Sequence, residues 1–347
     1  MCKNMQIKNQ KFKTLIIAEV GPNHNGSLKT ALKIIKQVAS TGADVIKFQL
    51  AIPENVYSED AFMADYQKKN DKSKSIIEMS RKVQLKKEDH IILKKACDKE
   101  GIMYACSAFD LNSLKFLDKK IDVPFFKVPS GEILSVDILD YISKKNKPVL
   151  LSTGMATVKE ISYAFDILRK NKPKRNITLM HCVSSYPANK KNLNLNFIDK
   201  LKSTFGVEIG YSDHSLGSEA CLAAVAKRAT VIEKHVTLSK KSEGPDHKAS
   251  MEIKIFKKFV QNIRKLENIL GNEKKFFTNN ELDVKKVARK SLVTAKNILK
   301  GHKLKKKDLV FKRPGYGIMP TDLKKVLGRT VKRNIKKNKL LQIRDLI

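Results

Sequence analysis

Between residues 14 and 271, short β-branched runs alternate with amphipathic segments, and this alternation restricts the possible folds more than any other property of the chain. The runs predict eight strands, at residues 15–18, 45–48, 102–106, 125–128, 149–151, 177–180, 207–209 and 231–232. We predict a helix after each strand, and amphipathic segments occupy residues 27–40, 86–100, 136–145, 158–170, 197–203, 218–227 and 251–270. Strands that alternate with helices pair in parallel, and eight such units are typical of a (β/α)8 TIM barrel rather than an open sheet.

Other segments depart from this repeating pattern. Residues 53–84 form a long insertion after the second predicted strand, which we interpret as a lid or a dimer contact. Residues 272–286 are polar and predict a linker between a barrel domain at residues 1–271 and a small module at residues 287–347. The module has short strand-like pieces separated by glycines, so we expect a small β-rich domain with a thin core.

The charge of the chain is strongly positive, with 70 Lys and Arg against 35 Asp and Glu, or +35. Sixty of the basic residues are Lys, whereas nucleic-acid-binding proteins rely on Arg and interleaved aromatic residues. Residues 288–347 carry 19 basic and 3 acidic residues, yet their aromatic residues are only Phe311 and Tyr316. We therefore expect a solvated basic surface that attracts small anions, and no nucleic-acid partner; a polyanion-binding protein is the rival class.

The sequence also bears on location. No run of about 18 apolar residues is present, so no membrane partner is expected. Residues 1–13 are polar and lack the apolar core of a signal peptide. The five cysteines, an odd number without CxxC spacing, predict free thiols in a cytoplasmic protein.

Polar side chains collect where the predicted strands end, which is the face of a TIM barrel that carries the active site. These side chains are Glu19, Lys47, Gln49, Ser107, Lys127, Ser130, Glu132, Ser152, Tyr186, His214, His235 and Asp246. A single serine there would be explained as a helix cap and a single histidine as a structural residue. Such an accumulation at one barrel mouth indicates an active site.

The residue types suggest the chemistry. Two lysines inside a barrel, Lys47 and Lys127, together with Ser107, Ser130 and Ser152, suit a compact dianion such as a phosphate ester that carries a carboxylate.

Two histidines on adjacent strands, His214 and His235, are suited to share one divalent ion, with water or Glu19 completing the shell. Imidazole with oxygen ligands fits Mn²⁺ in an open, catalytic geometry. The remaining polar groups, Gln49, Glu132, Tyr186 and Asp246, are left to hydrogen-bond a polyhydroxylated substrate.

Seven motifs together resemble the N-acetylneuraminate (sialic acid) synthase family. They lie at residues 17–26, 42–49, 127–132, 151–155, 210–214, 233–235 and 243–247. The segment Arg-Pro-Gly-Tyr-Gly-Ile at residues 313–318 resembles the C-terminal antifreeze-like (SAF) domain of that family. The resemblance extends in order over residues 15–347, nearly the whole chain.

The resemblance implies a phosphoenolpyruvate-dependent transferase that forms a C–C bond. Phosphoenolpyruvate would condense with N-acetylmannosamine to give N-acetylneuraminate and phosphate. The alternatives are legionaminate synthase, which uses 2,4-diacetamido-2,4,6-trideoxymannose, and then pseudaminate synthase. A Schiff-base aldolase, which needs a lysine and no metal, is disfavoured by the paired His214 and His235.

The resemblance also implies roles for individual residues. His214 and His235 would hold a divalent metal, Mn²⁺ with Mg²⁺ or Co²⁺ as alternatives, and Glu19 would act with them in catalysis. The residues implied for phosphoenolpyruvate are Lys47, Ser107, Lys127, Ser130, Ser152, Ser184 and Ser212. Those implied for the sugar are Gln49, Phe109, Glu132, Tyr186, Asp246 and Arg313. Arg313 would reach the active site of the other subunit, which implies a domain-swapped homodimer.

Overall fold

The computed structural model describes residues 13–347, so the expectations for Cys2 and for residues 1–12 lie outside it. The chain divides into two compact units, Met1–Gly271 and Asn272–Ile347. None of the helices within residues 13–347 combines the length and the apolar character needed to cross a bilayer. The four cysteines of this part, Cys97, Cys106, Cys182 and Cys221, are all free and buried.

The first unit is a closed parallel barrel, as predicted. Its strands are β1 Leu15–Glu19, β2 Val45–Leu50, β3 Met103–Ala108, β4 Phe126–Val128, β5 Val149–Ser152, β6 Ile177–Cys182, β7 Glu208–Asp213 and β8 Val231–Thr237. Each strand pairs in parallel with the next, and β8 pairs with β1 to close the barrel. A two-residue strand, β9 Met251–Glu252, extends the sheet beside the end of β8.

Helices surround the barrel. They are α1 Leu28–Ala39, α2 Pro53–Val56, α3 Asp65–Asn70, α4 Ile76–Val83, α5 Lys87–Glu100, α6 Leu111–Phe116, α7 Val136–Ser143, α8 Val158–Arg169, α9 Phe197–Phe205, α10 Glu219–Ala226 and α11 Ile253–Leu270. The insertion predicted at residues 53–84 contains α2, α3 and α4, and Met63, Ile76 and Met79 form a small apolar cluster there. Its role as a lid or a dimer contact stays a prediction.

Among the helices predicted to follow the barrel strands, one had no amphipathic segment to mark it. The helix α6 has only six residues, too few for a visible periodicity, and begins where the Asp110 carboxylate accepts a hydrogen bond from the Ser113 amide at 2.8 Å. A single π-turn, Leu117–Ile121, continues it.

Alternating residues of each strand face two different apolar cores. One set packs against the helices, and the other fills the bottom of the barrel. The bottom layer is formed by Ile17, Val45, Ala105, Phe125, Leu150, Met180 and Val231. Burial of each larger side chain in that layer stabilises the barrel by about 1.5–3 kcal/mol. The side chains two residues further along each strand therefore project into the same interior, one layer nearer the mouth.

The second unit is a small β-rich domain, as predicted. Its antiparallel strands are β10 Ser291–Thr294 and β11 Leu309–Lys312, and a core that includes Leu292, Val331 and Leu341 holds it together. It also contains the helices α12 Asn279–Ala288 and α13 Leu323–Val326.

The linker predicted at residues 272–286 is corrected in part, since α12 begins at Asn279. Thr278 caps this helix by accepting from the Glu281 amide, while the Glu281 carboxylate accepts from the Thr278 amide. None of the α12 side chains is buried, and its apolar residues Leu282, Val284 and Val287 are exposed.

Candidate active site

The layer above the apolar bottom of the barrel is polar. Two residues after each bottom-layer position stand Glu19, Lys47, Ser107, Lys127, Ser152, Cys182 and Glu233, and the equivalent position of β7 is Ser212. Backbone register places Glu19 opposite Lys47 and Ser107 opposite Lys127 on neighbouring strands. The period of two along each strand thus collects six of the predicted site residues in a single ring.

Four charged side chains form a buried network in this ring. The Lys47 Nζ lies 2.7 Å from Glu19 Oε2 and 3.7 Å from Glu233 Oε2, and the Lys127 Nζ lies 3.7 Å from Glu233 Oε1. None of the four side chains is more than 4% exposed. From the sequence, the charge of these lysines was expected to be offset by an anionic substrate. In the structure, two carboxylates already offset it, because a buried charge needs an opposite charge nearby.

Glu233 is a residue that sequence reasoning missed, because it was quoted in a motif but given no role. It accepts a hydrogen bond from Ser212 Oγ at 3.0 Å and faces both lysines. Its place two residues after the inward Val231 and two before His235 was a usable signal.

The pKa values of the two carboxylates, Glu19 and Glu233, are shifted in opposite directions. Burial raises the pKa of Glu19 to about 7, against the attraction of Lys47 and with a contribution from the repulsion of Glu233. Burial also opposes ionisation of Glu233, but the attraction of Lys127 and Lys47 outweighs it and lowers the pKa of Glu233 to about 2. Glu19 is therefore the member of the network that can exchange a proton near neutral pH.

The serines of the ring bind the same ammonium and carboxylate groups. Ser107 Oγ accepts from Lys47 Nζ at 2.9 Å, and Ser152 Oγ accepts from Lys127 Nζ at 2.7 Å. Each lysine is therefore held in one orientation with further N–H donors left over, since an ammonium carries three. The structure brings together the lysines and serines that were predicted to bind one dianion.

A second corner of the mouth surrounds Gly154. Its amide donates to Ser130 Oγ at 3.1 Å, and Cys182 Sγ lies 3.2 Å from that same oxygen. A Cβ atom on Gly154 would stand 2.3 Å from Ser184 Oγ and 2.8 Å from Ser130 Oγ. Ser130 and Ser184 thus converge only because residue 154 is glycine, a role that sequence reasoning did not assign to Gly154.

The paired histidines lie side by side, as predicted, with ring centroids 5.4 Å apart. His214 Nδ1 is 2.7 Å from the Val183 carbonyl oxygen, which can only accept, so this nitrogen carries the proton. Burial lowers the pKa of both rings, further for His235, where the neighbouring His214 adds to the effect. Both rings are therefore neutral, and His214 Nε2 keeps its lone pair.

The hydrogen bonding of His235 is less complete than that of His214. Its Nδ1 is buried without a hydrogen-bond partner among residues 13–347 and lies 3.5 Å from Asp246 Oδ2. Tyr186 packs on both histidines, with ring centroids 4.2 Å from His214 and 5.8 Å from His235. The unpartnered nitrogen of His235 and the free lone pair of His214 are a pair of imidazole donors that fits a divalent ion.

Gln49 and Asp246 lie beside Glu19. Gln49 Nε2 donates to Glu19 Oε1 at 2.8 Å, and burial together with the charge of Glu19 raises the pKa of Asp246 to about 7. Gly21 closes this side with φ +52°, and a Cβ on it would lie 3.2 Å from Gln49 Nε2 and 3.3 Å from Glu19 Oε1. Gly21 was missed as well, although a glycine two residues beyond an inward carboxylate is a signal for close packing.

Two predicted sugar-binding residues of the barrel are not tied to this cluster by the hydrogen bonds of residues 13–271. Phe109 and Glu132 are half-buried on the loops after β3 and β4, where Ser135 Oγ donates to Glu132 at 2.5 Å. Arg313 is exposed in the second unit. Their contacts with a sugar stay predictions.

A mouth of this kind, at the end of a closed parallel barrel, defines an enzyme of the TIM-barrel class with a SAF domain at its C-terminus. Residues 34–275 match the model of the NeuB family, and residues 289–347 match the SAF domain. The chain belongs to the NeuB family, and the resemblance drawn from the sequence motifs is confirmed.

Similar proteins agree with this assignment. The chain is 42% identical to the N,N'-diacetyllegionaminic acid synthase of Campylobacter jejuni, over 95% of this chain and 99% of that protein. It is 36% identical to the synthase of the same name from Legionella pneumophila, over 92% and 91%. A crystal structure of the N-acetylneuraminic acid synthetase from Leptospira borgpetersenii, in complex with citrate, superposes with a TM-score of 0.70 at 35% identity, over 78% and 90%.

Proposed function

We propose that the enzyme condenses phosphoenolpyruvate with 2,4-diacetamido-2,4,6-trideoxymannose to give N,N'-diacetyllegionaminate and phosphate. The observation that carries the choice of sugar is the 42% identity to a diacetyllegionaminic acid synthase over almost the full length of both chains. From the sequence alone, N-acetylneuraminate synthesis was the first choice, and the legionaminate reaction proposed here was the alternative. That activity remains the second candidate, supported by the similar N-acetylneuraminic acid synthetase structure.

The buried network suits the anionic substrate of this reaction. Lys47 and Lys127 would donate their remaining N–H groups to the phosphate and carboxylate of phosphoenolpyruvate, with Ser107, Ser152 and Ser212 alongside. The Gly154 corner would add Ser130 and Ser184. When phosphate departs, the fixed ammonium groups offset its developing charge without reorganisation.

The chemistry balances with one water molecule. C3 of phosphoenolpyruvate attacks the aldehyde carbon of the open-chain sugar, water adds at C2, and phosphate leaves from the resulting tetrahedral carbon. Glu19, with a pKa raised to about 7 by burial, is suited to take a proton from that water and to give it to the oxygen of the former aldehyde, which becomes a hydroxyl group.

His214 and His235 would hold a divalent ion, Mn²⁺ with Mg²⁺ or Co²⁺ as alternatives, because both rings are neutral and His235 Nδ1 is unpartnered. When bound, such an ion supplies Lewis-acid polarisation of a carbonyl oxygen. No group of three or more His, Cys, Asp or Glu side chains within residues 13–347 could hold an ion. Water or substrate oxygens would complete its shell, rather than Glu19.

The sugar would lie on the other side of the histidines. Gln49 and Asp246 lie beside Glu19, and Tyr186 covers the histidine rings. The proposal adds Phe109, Glu132 and, from the second subunit of a domain-swapped homodimer, Arg313, all on the strength of the family resemblance. It also keeps the cytoplasmic location, which buried free thiols favour.

The test is phosphate release from phosphoenolpyruvate with Mn²⁺, comparing 2,4-diacetamido-2,4,6-trideoxymannose with N-acetylmannosamine and identifying the product by mass. We expect release with the first sugar at a kcat/KM at least about tenfold higher, and its loss in EDTA. A preference for N-acetylmannosamine would replace the sugar and keep the mechanism. Trapping of pyruvate by borohydride would instead indicate a Schiff-base aldolase and overturn the proposal.

A further inference from the structure

The loop that carries Asp246 is anchored by a chain of hydrogen bonds outside the reacting groups. His247 Nδ1 lies 2.7 Å from Thr237 Oγ1, at the end of β8, and His247 Nε2 lies 3.1 Å from Asn25 Oδ1, in the loop after β1. Asn25 Nδ2 in turn donates to the Glu243 carbonyl at 3.0 Å. These hydrogen bonds therefore connect the segment 237–247, which follows β8, to the loop after β1, the strand that pairs with β8 to close the barrel.

The direction of each bond in this chain is fixed. Asn25 uses its Nδ2 donor on Glu243, so its Oδ1 faces His247 and can only accept. His247 Nε2 must then carry the proton. Burial lowers the pKa of His247 to about 4, so the ring is neutral near pH 7. Its Nδ1 can then only accept from the Thr237 hydroxyl, which lies nearer to it, at 2.7 Å, than to the Ser239 carbonyl oxygen, at 3.1 Å.

A second anchor holds the backbone of Asp246 itself. Asn23 Nδ2 donates at 2.8 Å both to the Val236 carbonyl and to Ser250 Oγ, and Ser250 Oγ donates to the Asp246 carbonyl at 2.8 Å. The fit around His247 is tight, since a Cβ on Gly244 would lie 2.8 Å from His247 Cδ2. Residues on both sides of Asp246 are thus held, and its carboxylate has little freedom to move away from His235.

We propose that His247 is a positioning residue that fixes the Asp246 carboxylate beside His235 and thereby sets the affinity for the acceptor sugar. His247 acts through the next residue of its own loop, held to Thr237 and Asn25, and touches no substrate. The inference rests on the proposed function, in which Asp246 faces the sugar.

The test compares His247→Leu, which removes both hydrogen bonds, with His247→Gln, whose side-chain amide can still donate to Asn25. We expect His247→Leu to raise the KM for 2,4-diacetamido-2,4,6-trideoxymannose about tenfold and to leave that for phosphoenolpyruvate within about twofold, with partial recovery in His247→Gln. His90→Leu is the matched control, because His90 is a fully buried histidine bonded to the Tyr104 hydroxyl at 2.6 Å behind the barrel. It should lower the melting temperature and leave the ratio of the two KM values unchanged.

A double-variant cycle separates positioning from general stability. In an Asp246→Asn background, His247→Leu should change the sugar dissociation constant, measured by equilibrium titration, by less than about twofold. An undiminished effect in that background, or equal rises in both KM values, would overturn the proposal.

The wild-type enzyme is assayed in parallel, so that failure of the proposed function is recognised by itself. If it used neither sugar, hydrogen exchange of residues 238–250 would test whether His247 anchors this loop. Faster exchange there in His247→Leu but not in His90→Leu supports the anchoring, and unchanged exchange overturns it.

Discussion

The Lys47 ammonium group lies 2.7 Å from the Glu19 carboxylate inside the barrel, where the two side chains are 3% and 1% exposed. Neither charge reaches bulk water, so each depends on the other and on Glu233 and Ser107 nearby. Because burial raises the pKa of Glu19 to about 7, the pair changes its net charge close to neutral pH. A pair of this kind serves both stability and proton exchange, and the two contributions can be separated by substitution.

Lys47→Met should lower the free energy of unfolding by about 3 kcal/mol, because it leaves the buried Glu19 carboxylate without its ammonium partner and leaves Glu233 with Lys127 alone. The double variant Lys47→Met with Glu19→Gln should regain most of that stability yet remain inactive. The measurement is denaturant unfolding with the phosphate-release assay. Lys94→Met, which breaks the partly exposed pair with Asp98 at 2.6 Å, should change stability by less than about 0.5 kcal/mol. A double variant as unstable as Lys47→Met would contradict this account.

Asp246→Asn should alter how stability depends on pH. Burial raises the pKa of Asp246 from 3.8 to about 7, so the folded state favours the neutral acid. The resulting stabilisation is complete below pH 3.8 and is lost as the pH rises through 7. The asparagine variant lacks this loss, and relative to wild type it should gain up to about 4 kcal/mol between pH 4 and pH 8.

Asp213→Asn provides a control of opposite sign for that measurement. Burial opposes ionisation of Asp213, but Lys234, 2.6 Å away, attracts the carboxylate more strongly and lowers its pKa. The stabilisation from Asp213 is therefore present above its unfolded pKa and lost in acid, so this variant should fall behind wild type as the pH rises. Parallel stability curves for Asp246→Asn and wild type would show that Asp246 is ionised in both states.

The barrel was predictable because its strands are buried on both faces and read as apolar runs. The structure extends several of the predicted runs beyond their apolar part, as in β8, which continues from Ile232 to Thr237. The five added residues begin with Glu233, Lys234 and His235, so polar residues of the active site hid the true end of this strand. The helix after β3 was predicted without a segment because α6 has only six residues, and α12 lies partly in the segment that was predicted as a linker.

Charged and hydroxyl groups near the strand ends made many residues of the candidate site predictable, although Glu233 of β8 was missed. What the sequence could not supply was the pairing between those groups. Lys47 was expected to bind substrate. Its partner Glu19 became evident from the register, which pairs the two residues, and Glu233, two strands away on β8, became evident from its 3.7 Å distance to Lys47. Gly21 and Gly154 keep space open for their neighbours. A glycine has no side chain whose chemistry could have indicated this role from the sequence.

Gly154→Ala should raise the KM for phosphoenolpyruvate at least about tenfold and that for the sugar much less, because the added methyl group displaces Ser184 and Ser130. Gly131→Ala is the matched control, since a Cβ there meets nothing within 4 Å. Steady-state kinetics with each substrate varied in turn would measure both. An unchanged KM for phosphoenolpyruvate in Gly154→Ala would remove Ser130 and Ser184 from the anion site.

His235→Ala should abolish turnover and weaken Mn²⁺ binding by at least about 100-fold while the fold stays intact, because only one imidazole remains for the ion. Equilibrium Mn²⁺ binding and circular dichroism would be measured together, so that loss of metal is distinguished from loss of structure. His181→Ala is the comparison, since this buried histidine is instead bonded through Nε2 to the Leu193 carbonyl at 2.8 Å. We expect it to bind Mn²⁺ as wild type does. Full activity of His235→Ala in the presence of a chelator would refute the metal assignment, since turnover would then need neither the ion nor its proposed ligand.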